Sequence, residues 1–221
     1  MSSPPDGAAG GDLIRRLALA SFAAGAAIAG LLYGLWPKEP PQRSAEELMN
    51  VLMWQREPVG GPFALIDQEG RRRTDVDFRG KVMVIYFGFT YCTDVCPTDL
   101  QSIGSALDRL GPLADNVQPL FISVDPDNDT PEQLKKFVGL FHPRIVGLTG
   151  SAAQIRRVAN DFKVYYAKNA PTRKLDAAVD HSGYTFLMGP DGSYIGFLPP
   201  GTSAERMASF IRPHAVRGKA S

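Results

Sequence analysis

The stretch "KVMVIYFGFTYCTDVCPTDL" (residues 81–100) decides the fold, because it joins an apolar segment to a helical pattern through two cysteines. Its first nine residues are almost continuously apolar, β-branched or aromatic, which is typical of a strand covered on both faces. Cys92 and Cys96 follow, and they are the only cysteines in a chain of 221 residues. Two thiols are too few for a disulfide-rich secreted domain. The pair therefore indicates a structural disulfide, a redox dithiol or a metal chelate.

A helix is predicted directly after the second cysteine. Pro97 suits the first helical position, and the residue before a proline is pushed out of the helical region. Cys96 is thus expected at the helix entrance and Cys92 in the loop before it, where free backbone N–H groups favour thiolates. Thiolate is both nucleophile and metal ligand, so this feature alone does not separate redox chemistry from copper or zinc binding. Apolar residues recur at helical spacing along the predicted helix, at Leu100, Ile103, Leu107 and Leu110.

The rest of the globular part alternates between strand and helix patterns. A first hairpin turns at Gln68-Glu69-Gly70, and a last one turns at Pro190-Asp191-Gly192. Strands are predicted for "VQPLFISVD", "RIVGLTG" and "FKVYYAK". Helix starts are predicted at Thr130 with Pro131 and Gln133, at Ser151 with Gln154, and at Thr202 with Glu205, the last helix ending at Pro213.

This order of elements predicts an α/β fold. A mixed sheet flanked by helices, with a dithiol at a strand-to-helix turn and a closing hairpin and helix, is similar to the thioredoxin fold. The alternation of strands and helices by itself also permits other α/β arrangements.

The N-terminal part of the chain predicts a membrane anchor. Leu17–Trp36 contains no charged residue, is long enough to span a bilayer as a helix, and follows Arg15 and Arg16. A cleaved signal peptide is the alternative, although the apolar run continues past its small-residue cleavage sites. The predicted order is a cytoplasmic N-terminus, the anchor, a linker with a juxtamembrane helix, a thioredoxin-like domain and a tail, at residues 1–16, 17–36, 37–58, 59–213 and 214–221.

Charge and targeting signals limit the predicted cellular location and the classes of partner. The formal net charge is +1 without a basic run, so no nucleic-acid-binding footprint is visible. Positive residues before the anchor place the C-terminal domain on the exported side. The N-terminus lacks an arginine- and serine-rich transit peptide, which favours a bacterial inner membrane with the domain in the periplasm. The alternative is the mitochondrial inner membrane, with the domain facing the intermembrane space.

The candidates for a third metal ligand are the three histidines of the chain. His142 ends a helix and His214 follows the terminal helix, and neither position indicates a metal site. His181 opens the closing hairpin in "VDHSGYTFLM", and in the thioredoxin plan this junction packs beside the dithiol. Two thiolates and one imidazole suit copper, because soft thiolates select Cu(I) and imidazole also accommodates Cu(II).

Four segments resemble the SCO/SenC family of copper-handling proteins of cytochrome c oxidase assembly, over about residues 58–212: "YFGFTYCTDVCPTDL", "SVDPDNDTPEQL", "GLTGSAAQIRRVANDFKVYY" and "VDHSGYTFLMGPDG". The resemblance implies copper bound by Cys92, Cys96 and His181 and passed to the dinuclear copper centre of the oxidase. It also implies reduction of the target's cysteines. The implied partners are the copper-centre subunit, a copper-donor chaperone and a thioredoxin-like reductant. The chain departs from the family pattern at Tyr91, where a histidine is common, and at Asn128, where an arginine is common.

Asp125 and Asp129 are candidates for residues that support the site. Carboxylates between a strand and a helix usually form turns and caps. The functional interpretation is that one of these two lies near the cysteine loop and organises it or receives a partner.

Two classes of function remain from the residues. The first is an anchored metallochaperone, and the second is a thiol–disulfide oxidoreductase that keeps the oxidase's copper-site cysteines reduced. Thioredoxin-type oxidoreductases place a cis-proline opposite the dithiol, where this chain offers His181. A thiol peroxidase lacks support because no proline-led peroxidase motif precedes the cysteines. A structural disulfide would close so short a loop that it would stabilise little.

Overall fold

A seven-stranded mixed sheet forms the centre of the described structure, with strand order β2-β1-β5-β4-β3-β8-β9. The computed structural model describes residues 58–92, 95–168, 179–181 and 183–216; of these, 167, 168 and 179–181 are described through their backbone alone. The strands are β1 (Ala64–Asp67), β2 (Arg72–Thr74), β3 (Val82–Gly88), β4 (Val117–Ser123), β5 (Val146–Thr149), β6 (Tyr166–Lys168), β7 (Val179–His181), β8 (Thr185–Met188) and β9 (Tyr194–Leu198). The helices are α1 (Val95–Leu110), α2 (Pro131–Val138), α3 (Ala152–Asp161) and α4 (Ala204–Ala215), with 3-10 turns at Asp75–Phe78 and Gly111–Asn116.

The strand that precedes the two cysteines lies inside the sheet. β3 pairs in parallel with β4 and antiparallel with β8, and all seven of its residues are buried. Its side chains alternate between two apolar clusters, as the two-residue period of a strand requires. Tyr86 belongs to the cluster that contains residues of α1, α2 and α4, while Phe87 belongs to the cluster that contains residues of α3. The predicted mixed sheet with helices on both faces, an α/β thioredoxin-like arrangement, is confirmed.

Short-range signals were the most accurate of the predictions. Thr130 accepts a hydrogen bond from the backbone N–H of Gln133, with Pro131 as the first helical residue. Ser151 and Gln154 form the predicted capping box. The first hairpin turns at Gly70, whose φ of 78° suits glycine.

Three local predictions were wrong. The terminal helix is capped by Ser203, which accepts from the N–H of Arg206, and not by Thr202, whose hydroxyl instead donates to the carbonyl of Pro199. Pro213 lies inside α4, because the buried Ala215, whose carbonyl accepts from the Asn116 side chain, keeps the last turn folded. The predicted strand "FKVYYAK" contributes only its end to β6, since a left-handed Lys163 turns the chain after α3.

A small second sheet was not predicted. β6 and β7 pair antiparallel, with Tyr166 opposite His181. His181 therefore ends a strand of its own and does not open the β8–β9 hairpin. None of the helices in the described part of the chain has the combination of length and hydropathy that a membrane span requires. The predicted anchor at Leu17–Trp36, the N-terminus before it and nearly all of the linker lie outside the described residues.

Candidate metal and redox site

Both cysteines lie at the carboxyl end of β3. Cys92 lies in the loop that begins at Phe89, directly after β3. Its backbone N–H donates to the carbonyl of Phe89 at 3.2 Å. Cys96 is the second residue of α1 and is fully buried, whereas Cys92 is half-buried. Pro97 is the third helical residue, so the helix begins earlier than predicted. The cysteine pair thus has one inner thiol and one thiol that solvent reaches.

Neither thiol is in a disulfide bond, and the two thiols are in contact with each other. A hydrogen bond with Cys92 is the largest influence on the Cys96 thiol, and together with burial it raises the pKa of Cys96. The sequence predicts that the helix entrance favours thiolates. For Cys96 the opposite holds, because a second sulfur and a dry environment both disfavour the charged form. The metal-free pair therefore keeps a proton on its inner sulfur near neutral pH.

Gly88 leaves the space that the sulfur of Cys96 occupies. A Cβ at this position would lie 2.9 Å from the Cys96 sulfur and 2.9 Å from Cε2 of Phe121. Only a residue without a side chain lets the sulfur settle against the strand. Sequence reasoning missed this residue, although a lone glycine in an otherwise bulky strand signals close approach of other atoms.

Asp129 ties the loop before Cys92 to the neighbouring strand. Its buried carboxylate accepts hydrogen bonds from the backbone N–H of Thr90 at 3.1 Å, from the Thr90 hydroxyl at 2.6 Å and from the Ser123 hydroxyl at 2.5 Å. Burial raises the pKa of Asp129, and these hydrogen bonds act against that rise. The described contacts fit the prediction that Asp129 organises the cysteine loop.

Asp125 belongs to the turn between β4 and α2. Its side chain accepts a hydrogen bond from the Asn128 amide at 2.7 Å, and its backbone carbonyl accepts from the N–H groups of Asn128 and Asp129. These are the bonds of a turn former, which places Asp129 correctly. Asn128, which departs from the family pattern, is part of this turn.

The histidines fall in three different places. His142 accepts from the backbone N–H of Arg144 and lies 3.5 Å from a carboxylate oxygen of Asp108, so it fills a structural position. His214 stacks edge-on against Phe210 within α4. The backbone of His181 lies four residues before β8, the neighbour of β3, and its imidazole is outside the described side chains. Among the side chains that are described, no cluster of three or more His, Cys, Asp and Glu forms a metal site.

Two large apolar side chains are exposed beside the cysteines. Tyr91, immediately before Cys92, is 64% exposed, and Val95, immediately before Cys96, is 40% exposed. Large exposed apolar side chains beside a reactive pair are a usual feature of surfaces that contact another protein.

Comparison with known proteins agrees with this fold and site. Residues 53–215 match the SCO1/SenC family model. The chain is 36% identical to the mitochondrial SCO2 homologue of Bos taurus, over 91% of this chain and 76% of that protein. It is 42% identical to the sco1 protein of Schizosaccharomyces pombe, over 74% of this chain and 64% of that protein. The crystal structure of Arabidopsis thaliana ScoI with copper bound superposes with a TM-score of 0.67 at 38% identity, covering 72% of this chain and 98% of that one. The chain therefore belongs to the SCO1/SenC family.

Proposed function

We propose that this protein is a membrane-anchored copper chaperone that binds copper through Cys92, Cys96 and His181. The observation that carries the proposal is the direct contact of two sulfurs that are not joined in a disulfide, one of them half-buried. Two sulfurs this close can bind one soft Cu(I) ion, whereas imidazole supplies the nitrogen donor that Cu(II) prefers. The copper bound to the related Arabidopsis thaliana protein supports the same cargo here.

The residues around the pair have separate tasks in this function. Cys92 gives the ion access from solvent, and Cys96 holds it from the buried side. Because the pKa of Cys96 is raised, copper must displace a proton from this sulfur, and binding weakens as pH falls. Asp129, placed by the Asp125 turn, holds Thr90 and hence the approach to Cys92.

The recipient that we propose is the copper-centre subunit of cytochrome c oxidase, which receives copper at its dinuclear centre. A copper-donor chaperone and a thioredoxin-like reductant complete the cycle, since the dithiol must be reduced before it binds Cu(I). The exposed Tyr91 and Val95 support partner contact on the cysteine face. Leu17–Trp36 would hold the domain at the outer face of a bacterial inner membrane, and the mitochondrial relatives support the same arrangement at the mitochondrial inner membrane as the alternative.

The test is copper loading of the full chain, purified in detergent and reduced without oxygen. The wild-type protein is expected to retain equimolar Cu(I) after desalting. Cys92→Ser and Cys96→Ser should retain none, while Gln101→Ala, at an exposed position of α1, should load like wild type. Equal copper retention by the cysteine variants would overturn the proposal.

Thiol–disulfide exchange is the second candidate function, and the same sulfur contact favours it. Cys92 and Cys96 are close enough to close a disulfide after small movements, and the half-exposed Cys92 is accessible to a partner's disulfide. Reduction of a peptide disulfide by the metal-free protein, unaffected by His181→Ala, would favour this function over copper delivery.

A further inference from the structure

A cavity of about 340 Å³ lies where the described chain enters the domain. Residues 58–63 line one side of it, and much of its remaining surface comes from buried apolar side chains, namely Met83, Ile85, Phe162 and Met188. The entering chain is in close contact with these side chains, because Gly60 has a left-handed φ of 89° and a Cβ there would lie 2.5 Å from Cε of Met188. The cavity is thus directly beside the point at which residues 1–57 join the domain.

A second cavity, of about 470 Å³, adjoins the first. The two cavities share Pro62, Phe63 and Asp75, and the second extends to Val76 and Arg157. We call the two together the entry groove. Each cavity is large enough to hold a large apolar side chain, and the 68% exposed Val76 extends the apolar surface to the edge of the groove.

Asp75 and Gln154, two polar side chains that line the entry groove, are already paired within the domain. Asp75 accepts a hydrogen bond from the backbone N–H of Phe63 at 3.3 Å and forms an ion pair with Arg79 at 2.7 Å. The side-chain amide of Gln154 donates to a backbone carbonyl of β1 and accepts from the N–H of Ser151, both at 2.8 Å. A polar ligand would have to replace these bonds, so the groove suits an apolar occupant.

The segment that precedes the groove is the predicted juxtamembrane helix, which has no part in the proposed function. Its residues 48–54, "LMNVLMW", comprise six large apolar residues and one asparagine. Trp54 lies four residues before the first described residue, a stretch of at most about 14 Å when extended, so its side chain can reach the groove. Glu46 and Glu47 precede the apolar residues. Their charge complements that of Arg157, which is exposed and forms no ion pair with any described residue.

We propose that residues 48–54 of the same chain pack into the entry groove, with Trp54 in the cavity beside Pro58. The groove lies at the end of the sheet opposite the cysteines, because Met83, near the start of β3, pairs with Met188, whereas the cysteines follow the other end of β3. Docking therefore brings the chain into the domain at that end and leaves the cysteine end clear for a partner. This consequence for partner access rests on the proposed function, whereas the docking itself does not.

The first experiment measures the fluorescence of Trp54 in the full chain, reconstituted in vesicles of phosphatidylethanolamine and phosphatidylglycerol. Trp36→Phe makes Trp54 the only tryptophan, since the chain has two. Trp54 should emit at short wavelength, be quenched weakly by iodide and be unaffected by brominated acyl chains in the lipid. Val76→Asp should raise iodide quenching several-fold and move the emission to longer wavelength, because a charge in the groove disfavours an apolar occupant. Leu140→Asp, at a 76% exposed position outside the groove, is the matched control and should leave both unchanged.

The second experiment places the photo-cross-linker p-benzoylphenylalanine at position 54 of the full chain and maps the products by mass spectrometry. Cross-links to groove residues of the same chain are expected, and the same label at position 140 should give none there. Cross-links to lipid, or to a second copy of the chain, would overturn the proposal, as would strong quenching of Trp54 by brominated lipid or equal quenching in Val76→Asp and Leu140→Asp. If Val76→Asp does not fold, the cross-links decide. A chain that binds no copper would overturn the proposed function and leave both tests of docking intact.

Discussion

Replacing Gly88 with alanine tests whether the strand itself sets the position of the inner sulfur. The added Cβ would lie 2.9 Å from the Cys96 sulfur, about 0.5 Å closer than ordinary van der Waals contact begins, and equally close to Cε2 of Phe121. Overpacking of this kind costs about 1–3 kcal/mol. Alanine offsets about 0.5–1 kcal/mol of that cost, because it loses less backbone entropy on folding than glycine. The expected net loss of unfolding free energy is therefore between about 0 and 2.5 kcal/mol.

The effect on copper should exceed the effect on stability. The sulfur must shift by about 0.5 Å, which is the tolerance within which a site keeps its productive geometry. We therefore expect the Cu(I) affinity of Gly88→Ala to fall roughly tenfold, measured by competition with a colorimetric Cu(I) chelator. Stability is measured in parallel by urea unfolding of the reduced, metal-free protein.

Gly147→Ala is the matched control. Gly147 lies on the parallel strand β5, and its added Cβ would meet Val138 at 3.2 Å and Leu134 at 3.3 Å, away from the cysteines. This variant should lose some stability and keep wild-type Cu(I) affinity. Equal affinity in Gly88→Ala and wild type, or an equal loss in Gly147→Ala, would refute the reasoning.

Three further predictions concern other parts of the molecule. Asp129→Asn should lower the unfolding free energy by about 2–4 kcal/mol, because the amide cannot accept all the hydrogen bonds that Thr90 and Ser123 donate. Urea unfolding measures this loss, and Asp115→Asn, at an exposed position, should change stability little. His181→Ala should keep a weakened Cu(I) complex but lose stable Cu(II) binding, visible in the Cu(II) absorption and EPR spectra; spectra identical to wild type would remove this histidine from the site. The full chain should resist carbonate extraction from membranes if Leu17–Trp36 is an anchor, and recovery of a mature protein without this segment would favour the signal-peptide alternative.

Local signals along the chain were sufficient to predict most of the fold. The apolar run of β3, the apolar spacing along α1 and the caps at Thr130 and Ser151 each depend on residues within a few positions of one another. Such signals act through backbone geometry and nearest-neighbour packing, so they can be read without knowing the rest of the structure. The same is true of Cys92 and Cys96, whose closeness in sequence already limits their chemistry.

Other features depended on which distant segments meet. Asp129 binds Thr90 across 39 residues, and Asp99 binds Gly201 across 102 residues. Neither pair produces a recurring pattern in the sequence, because one hydrogen bond places no constraint on the residues between its ends. Likewise, the rise in the pKa of Cys96 comes from contact with a second sulfur and from burial, neither of which can be read from a helix start.

The end of α4 also shows a tertiary contact that overrides a local sequence signal. Proline at 213 is a reliable local stop signal, yet α4 continues past it because Ala215 is buried and hydrogen-bonded by Asn116, 99 residues earlier in the chain. The amino-acid sequence by itself determined the strand, the dithiol and the helix that carry the chemistry. Only the tertiary structure decided that the inner sulfur rests on Gly88 beside Phe121, because packing in a dense core is settled by segments far apart in the chain.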